Sequence, residues 1–257
     1  MTRNDADLRP NTSRQPLFFT NPQVISHDRH AQAKVCHPID MGFARKTNFV
    51  PLVAKDILMA AKYYPLAFTL SDPIVPIAIL GLEQENYFVD ANNHWLHDHY
   101  IPAYVNKYPF AFTVTENQEM TLCIDEAVLV EEAESGGNPI YEKGKPSRFI
   151  QSAVDRCVEY HEEYQTVSDF CDTLIEWEML SPHHSRVELK NKRMIHLDGF
   201  QLIEPNKIRA LSKETIFDMF EKGHLAMIYY ILQSQTNWKT LLDMAATLEA
   251  HNPSVKA

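Results

Sequence analysis

The sequence predicts an α+β protein in which an N-terminal, mostly antiparallel β-rich half packs on a C-terminal helical half that carries a small hairpin. Short β-branched and aromatic runs crowd the stretch 66–125, separated by Pro, Asn or Asp. Apolar residues then recur every three or four positions from residue 150 onward, which indicates amphipathic helices. With 257 residues and 45% hydrophobic content, the chain can fill a sizeable core.

The N-terminal half contains short strand candidates with few helices between them. LFFTNPQVI is a first strand candidate, and 50–63 is a helix that Pro65 ends. The next strand candidates, in order, are LAFTL, VPIAILGL, NYFVDA, FAFTVT and MTLCID. Because only this helix and one near 100–107 interrupt the strands, an antiparallel sheet is favoured over a doubly wound parallel one.

Composition suggests boundaries along the chain. Residues 1–15 form a polar tail that we expect to be disordered, and 16–130 form the β-rich half. An acidic loop with Gly and Pro, 131–146, precedes a mainly helical half, 147–250. A single integrated domain remains an alternative.

The helical half begins with a long amphipathic helix. Ser147 is positioned to cap it at Arg148, with a break near 166–168 as an open alternative. Its apolar positions are Ile150, Val154, Cys157, His161, Tyr164, Val167, Phe170, Leu174 and Trp177. A hairpin with its tip at Asn191 follows, and Ser212 then opens a series of helices in which Gly223 is a stop.

Charge and cysteine usage exclude several classes of protein. The net charge of -10 disfavours nucleic acid and anionic lipid, because no strong basic patch offsets it. The four cysteines form no CxxC pair, which excludes a zinc ribbon or a thioredoxin-type site and fits reduced thiols in the cytoplasm. No apolar run is long enough to cross a bilayer, and the N-terminus lacks a secretory signal. We therefore expect a cytoplasmic protein without direct membrane insertion.

Three histidines make the sharpest chemical pattern: His94, His97 and His99. In an extended segment, His97 and His99 share a face and would bind a divalent metal together with a carboxylate from Asp90 or Asp125. The competing interpretation is a polar loop that happens to contain three histidines. No cofactor is predicted, and the metal site remains an alternative hypothesis.

Asp125 and Glu126 follow an apolar strand, where carboxylates can act as acid and base. Adjacent side chains of a strand diverge, which favours a turn-capping role for Asp125. Signatures of nucleotide cradles, serine hydrolases and zinc proteases are absent from the sequence.

Aromatic residues are concentrated in the middle of the chain. Most should be core, but some are candidates for a groove that binds a peptide or an apolar small molecule. The predicted ligand or partner cleft comprises Asp90, Trp95, Tyr100, Tyr104, Tyr108 and Asp125.

Several sequence blocks together resemble the SapC family of bacterial proteins. Between Pro76 and Glu126 they are PIAILGLEQENYFVDANNHWL, YIPAYVNKYPFAF and LCIDE. Further blocks are PLVAKDILMAAKYYPLAF, GNPIYEKGKPSRFIQ, FCDTLIEWEML and HLDGFQLIEPNKIRALSKETIFDMFEKGHLAMIYYILQS. The histidines His94, His97 and His99 depart from the family pattern, which weakens the metal hypothesis.

The resemblance implies an accessory role. Similar proteins are found near a surface-layer locus, near flavin-dependent halogenase-like and cupin-like enzymes, and near outer-membrane nutrient receptors. We therefore expect a non-enzymatic binding protein of an envelope, uptake or amino-acid and peptide tailoring system, with a protein or peptide partner. The alternative is a metal-dependent oxygenase or hydrolase that uses His97, His99 and a nearby carboxylate. The resemblance implies these family-wide positions: Gly81, Phe88, Val89, Asp90, Trp95, Tyr100, Pro102, Tyr108, Pro109, Phe110, Asp125, Gly199 and Ser234.

Overall fold

The computed structural model describes residues 16–36, 39–114, 120–130, 137–190 and 192–251. It is an α+β protein, with an antiparallel, sheet-rich N-terminal half and a helical C-terminal region. The strands are β1 (Pro22–Val24), β2 (Lys34–Val35), β3 (Phe49–Pro51), β4 (Leu66–Thr69), β5 (Pro76–Ile79), β6 (Phe110–Val114), β7 (Met120–Asp125), β8 (Leu129–Val130), β9 (Asn138–Pro139), β10 (Tyr141–Glu142), β11 (Lys145–Pro146), β12 (Leu180–Pro182), β13 (Ser185–Glu188), β14 (Met194–Leu197) and β15 (Phe200–Ile203). The helices are α1 (His27–His30), α2 (Ala54–Ala60), α3 (Ala103–Asn106), α4 (Arg148–Glu176), α5 (Pro205–Arg209), α6 (Lys213–Glu221), α7 (His224–Ser234) and α8 (Trp238–His251). The predicted fold class is therefore confirmed.

The chain divides into two compact units, and each unit is assembled from two separate segments. The first unit comprises Met1–Phe43 and Val105–Glu162, and the second comprises Ala44–Tyr104 and Glu163–Ala257. The predicted tail, 1–15, lies outside the described residues.

The first unit contains two three-stranded sheets and a short hairpin. The strand orders are β1-β7-β6 and β8-β2-β9, and β10 pairs with β11. Its larger core cluster places Phe110 and Ile124, which face each other across β6 and β7, against the start of α4. The other fully buried members of this cluster are Val35, Leu122, Ile140, Ile150, Ala153 and Cys157.

The second unit is built on a five-stranded antiparallel sheet in the order β12-β15-β4-β5-β3. Strands β4 and β5 are almost entirely buried, which fits their continuous apolar sequences. Helix α7 packs on β4 and also contacts α2 and α6. The helix predicted over 50–63 is shorter, because β3 takes its start and α2 covers only Ala54–Ala60. Its apolar residues Ile57 and Ala60 are buried.

Helix α4 is one continuous element of 29 residues, so the break considered near 166–168 is absent. Ser147 caps it as predicted, since its hydroxyl accepts the amide N–H of Ile150 at 3.3 Å. Cys157 and Cys171 lie in this helix and both are free thiols. Within the described ranges, no helix is both long enough and apolar enough to span a membrane.

The segment NYFVDA is not a strand, contrary to the prediction. It forms only an isolated bridge between Val89 and Trp95. Its backbone groups are satisfied outside a ladder: Asn86 Oδ1 accepts the N–H of Phe88 at 2.9 Å, and the N–H of Asp90 donates to the carbonyl of His94 at 2.8 Å. Local side-chain bonds like that of Asn86 compete with a sheet ladder.

Trp177, predicted on the apolar face of the long helix, instead follows the end of α4 and is exposed. The hairpin and the later helices agree with the prediction. Strands β13 and β14 form the small hairpin, although its predicted tip, Asn191, lies outside the described residues. The Ser212 hydroxyl caps α6 by accepting the N–H of Thr215 at 3.1 Å. Gly223 has a φ of 73° between α6 and α7, a conformation that favours glycine at a helix end.

Candidate functional site

The predicted cleft residues fall into both units. Asp90, Trp95, Tyr100 and Tyr104 belong to the second unit, whereas Tyr108 and Asp125 belong to the first. Their role as a ligand cleft stays a prediction, and the structure shows what each side chain contacts within its own unit.

Trp95 and Tyr100 belong to a buried hydrogen-bond chain. The indole Nε1 of Trp95 donates to the hydroxyl of Tyr64 at 3.1 Å, and that hydroxyl donates to the carbonyl of Tyr100. The Tyr100 hydroxyl in turn donates to Asp56 Oδ1 at 2.5 Å. These contacts fasten the Trp95 loop to the N-terminal end of α2.

Asp56 is the acceptor at the end of this chain, and it is fully buried. It also accepts the amide N–H groups of Val53 at 3.0 Å and Ala103 at 3.1 Å. Burial raises the pKa of Asp56, although the Tyr100 hydroxyl and the two amides oppose that shift. The sequence reasoning overlooked Asp56, which is one carboxylate within a helical apolar pattern.

Asp90 organises the loop before Trp95. Its Oδ1 accepts the amides of Asn92 at 2.8 Å and His94 at 2.9 Å, and these bonds lower the pKa of its carboxyl. Asp90 therefore acts as the side-chain anchor of a turn.

Tyr104, the remaining predicted cleft residue of this unit, lies in α3 and is half-buried.

The three histidines of this loop make separate contacts. His94 Nδ1 lies 3.9 Å from Asp90 Oδ2, and His97 Nδ1 lies 2.9 Å from Asp98 Oδ2. His99 packs between the rings of Tyr63 and Phe88, with centroid separations of 5.2 and 5.3 Å. Across the residues with described positions, no group of three or more His, Cys, Asp or Glu side chains is arranged to hold a metal ion.

In the first unit, Asp125 and Tyr108 form a buried polar centre. Asp125 Oδ2 accepts the amide of Thr20 at 2.9 Å and the Tyr108 hydroxyl at 3.1 Å, and Oδ1 accepts the amide of Asn21 at 2.8 Å. Burial would raise the pKa of Asp125, but these bonds and one from Ala127 outweigh it and lower the pKa. Asp125 thus holds backbone amides, as the sequence indicated.

Glu126 points to different partners. It accepts hydrogen bonds from Arg29, with Nη2 to Oε2 at 2.9 Å, and from Asn21 Nδ2 at 3.0 Å. The buried His30 places its Nε2 3.1 Å from Glu126 Oε1. Arg29 lowers the pKa of Glu126. Asp125 and Glu126 therefore tie the N-terminal segment to the end of β7 by separate contacts.

Helix α6, in the second unit, presents the most exposed large apolar side chains. Phe217 is 61% exposed and Phe220 is 68% exposed, and their spacing of three residues places them on one helix face. Met219, between them in sequence, is fully buried and anchors the opposite face. Folding therefore leaves the apolar surface of both rings largely in contact with water. We call Phe217 and Phe220 the aromatic face of α6.

Negative charge lies beside the end of α6. Lys222 Nζ donates to Asp218 Oδ2 at 2.7 Å. This bond raises the pKa of Lys222, and the charges of Asp218, Glu176 and Asp169 raise it further. Three carboxylates therefore act on one ammonium group, which leaves an acidic surplus near the aromatic face.

The sequence reasoning did not single out the aromatic face. Ile216, Phe217, Met219 and Phe220 cover more of a nine-residue helix than one core-facing stripe needs. This excess of apolar residues indicates that some of them stay exposed to solvent. The sequence alone does not say which ones.

The fold and these contacts describe an α+β protein whose buried carboxylates bind backbone groups and whose helix α6 exposes an aromatic face. Comparison with known families adds one match: the SapC family model covers residues 25–241 of the 257-residue chain. The chain therefore belongs to the SapC family. No curated protein and no solved structure matches it.

Proposed function

We propose that this chain is a non-enzymatic accessory or binding protein that acts in the bacterial cytoplasm through a protein or peptide contact. It would serve an envelope, nutrient-uptake or amino-acid and peptide tailoring system. The observation that carries the proposal is the aromatic face of α6, where Phe217 and Phe220 are 61% and 68% exposed. Covering these rings on binding would recover apolar surface that folding leaves in water.

The surrounding charge supports a partner of defined chemistry. Asp218, Glu176 and Asp169 lie near Lys222, and the whole chain carries a net charge of -10. An apolar anchor flanked by basic residues would complement this surface. The same field opposes nucleic acid, which is itself negatively charged.

The contacts of Asp125 and Glu126, the predicted acid-base candidates, and of the buried Asp56 also support a binding role. Asp125 and Asp56 each use both carboxylate oxygens to accept backbone N–H or tyrosine hydroxyl donors. Glu126 is held by Arg29 and His30. Groups occupied in this way stabilise loops and helix ends.

Photo-crosslinking tests the proposal at the residue that carries it. A photoreactive phenylalanine analogue replaces Phe217 in the chain expressed in its native host, and the crosslinked partner is identified and purified. We expect a stoichiometric partner whose Kd for the wild-type chain rises about thirtyfold or more in a Phe217→Ser, Phe220→Ser variant, because each anchor contributes about 1–2 kcal/mol.

Leu70→Ser is the matched control, since Leu70 is also an exposed apolar residue of the second unit. It should leave the Kd unchanged, and circular dichroism should show both variants folded. Equal affinity for the wild-type chain and the double variant would contradict the proposed surface. A turnover activity of the purified chain would contradict the non-enzymatic role.

A further inference from the structure

A second feature of the second unit is an open pocket far from α6 in sequence. Its volume is about 480 Å³, and it is lined by Arg45, Lys46, Glu83, Gln84 and Glu85. Pockets of a few hundred Å³ are the usual size for small-molecule ligands. Two basic and two acidic side chains therefore border an open depression at the surface.

The two segments that line the pocket, around residues 45–46 and 83–85, are joined by hydrogen bonds. The amide of Asn86 donates to the carbonyl of Arg45 at 2.9 Å, and its side chain donates to the carbonyl of Ala44 at 3.2 Å. The amide of Gly81 donates to the carbonyl of Asn48 at 3.2 Å. The backbone of the two segments is thus held in place before any ligand arrives, which reduces the entropic cost of binding.

Gly81 makes the tight turn of this wall feasible. A Cβ atom built on Gly81 would lie 1.8 Å from the carbonyl oxygen of Glu85, so the backbone approaches closely at this point. The turn therefore requires glycine at position 81 and sets the position of Glu85 at the rim.

Among the residues that the structure describes, no carboxylate forms an ion pair with Arg45. Its guanidinium donates to neutral oxygens, from Nη2 to Asn93 Oδ1 at 2.6 Å, and to the carbonyl oxygen of Asp90. The carboxylate of Asp90 instead accepts the amides of Asn92 and His94. Arg45 is therefore oriented by neutral oxygens of the 90–93 loop, and its charge also helps to lower the pKa of the Asp90 carboxyl.

Of the other charged residues that line the pocket, Glu83 is in an ion pair, whereas Lys46 and Glu85 are in none within the described part of the chain. Glu83 pairs with Arg193, which offsets its negative charge. Lys46 is exposed and makes no ion pair with the residues that the structure describes, and the same holds for Glu85. The pocket consequently offers Arg45 and Lys46 to a carboxylate and Glu85 to an ammonium group.

We propose that this pocket binds a small zwitterion with the chemistry of a free α-amino acid. Arg45 and Lys46 bind its carboxylate by charge-assisted hydrogen bonds, and Glu85 binds its amino group. A ligand with several negative charges, such as a nucleotide, is disfavoured because the carboxylate of Glu85, which pairs with no cation among the described residues, lines the same space.

Three probes with the same carbon chain separate the two charges: L-norvaline carries both groups, pentanoate only the carboxylate, and pentylamine only the amine. Each is titrated into the full chain by calorimetry at pH 7, up to about ten times a Kd of roughly 1 mM. We expect saturable binding of norvaline, about tenfold tighter than that of either other probe.

Two exposed substitutions test the assignment without disturbing the hydrogen bonds of Arg45. Lys46→Gln should weaken norvaline and pentanoate alike by about threefold to tenfold, whereas Glu85→Gln should weaken norvaline and leave pentanoate unchanged or tighter. Lys190→Gln is the control, because this exposed cation pairs with Asp243 elsewhere. It should change neither affinity.

Three results would contradict the proposed binding of a zwitterion. Equal affinity for norvaline and pentanoate would overturn the amino-group assignment, and no saturable heat with norvaline would overturn the site. Norvaline affinity that survives both substitutions would also overturn it. None of these results bears on the aromatic face of α6, whose test uses different residues.

Discussion

Asp56 and Asp125, both fully buried, show that the pKa of the same residue type can shift in opposite directions in one chain. Asp125 accepts three backbone amides and the Tyr108 hydroxyl, and its pKa is lowered even though burial opposes the charge. Asp56 accepts two amides and the Tyr100 hydroxyl, and burial prevails and raises its pKa. The number of donors relative to the loss of water therefore decides the direction.

Asp125→Asn should reduce the free energy of unfolding by about 2–3 kcal/mol at pH 7, because the amide group turns an N–H toward donors that need an acceptor. The folded-state pKa of Asp125 is lowered, so its contribution is complete above the ordinary aspartate pKa of about 3.9. The contribution is lost as the pH falls through the lower folded-state value.

Urea unfolding of wild type and variant between about pH 3 and pH 7 measures this dependence. The difference between the two proteins should shrink toward the acid end. Asp98→Asn is the control, since Asp98 is exposed and should give a difference near zero. A difference that is independent of pH would contradict the charged state assigned to Asp125.

At the scale of elements, single hydroxyl groups connect helices to the sheet. Ser234, at the end of α7, is fully buried, and its Oγ accepts the amide of Leu66 in β4 at 3.0 Å while donating to the carbonyl of Ile231 at 2.6 Å. Its presence among the family-wide positions implied by the resemblance thus has a structural explanation. A small side chain with both hydrogen-bonding roles joins two elements at this point.

Ser234→Ala should cost about 1–3 kcal/mol, because the amide of Leu66 is left without its acceptor in a buried place. Ser152→Ala is a matched control: Ser152 also donates to a carbonyl within its helix, that of Arg148, but it is exposed. It should change stability by less than about 0.5 kcal/mol. Equal effects of the two substitutions in chemical denaturation would show that the bond between α7 and β4 is unimportant.

The helices also illustrate how far element prediction reaches. Ser147 and Ser212 were recognisable caps, because serine just before an apolar periodic run is a strong local signal. The strand predicted at NYFVDA was wrong, because β-branched and aromatic composition does not reveal that the Asn86 side chain and the backbone of His94 satisfy part of its backbone. Those contacts depend on the turn at residues 90–94, and the amino-acid composition of the segment does not predict the conformation of that turn.

At the scale of the whole molecule, the chain returns to each unit after leaving it. The first unit needs Ile150, Ala153 and Cys157 of α4 to complete the core around Phe110 and Ile124. The second unit needs β15, whose Phe200 lies opposite Thr69 of β4. Neither unit is therefore complete in a contiguous half of the sequence.

Separate expression of residues 1–146 and 147–257 tests this organisation together with the boundary predicted at 131–146. We expect neither fragment to show a cooperative thermal transition alone, because each lacks core partners of both units. Co-expression of the two fragments is the control and should restore a transition. Cooperative melting of either fragment by itself would instead support the predicted boundary.

Local patterns were sufficient for the fold class, the long capped helix, the antiparallel character of the strands and the family resemblance. These features depend on periodicity and on residues such as serine and glycine, whose effects act over a few neighbouring positions. The exposure of Phe217 and Phe220, and the meeting of Arg45 with Glu85, arise from segments that are distant or differently covered in the folded chain. Burial and long-range contact are properties of packing, and so these two sites emerge only when the elements are assembled.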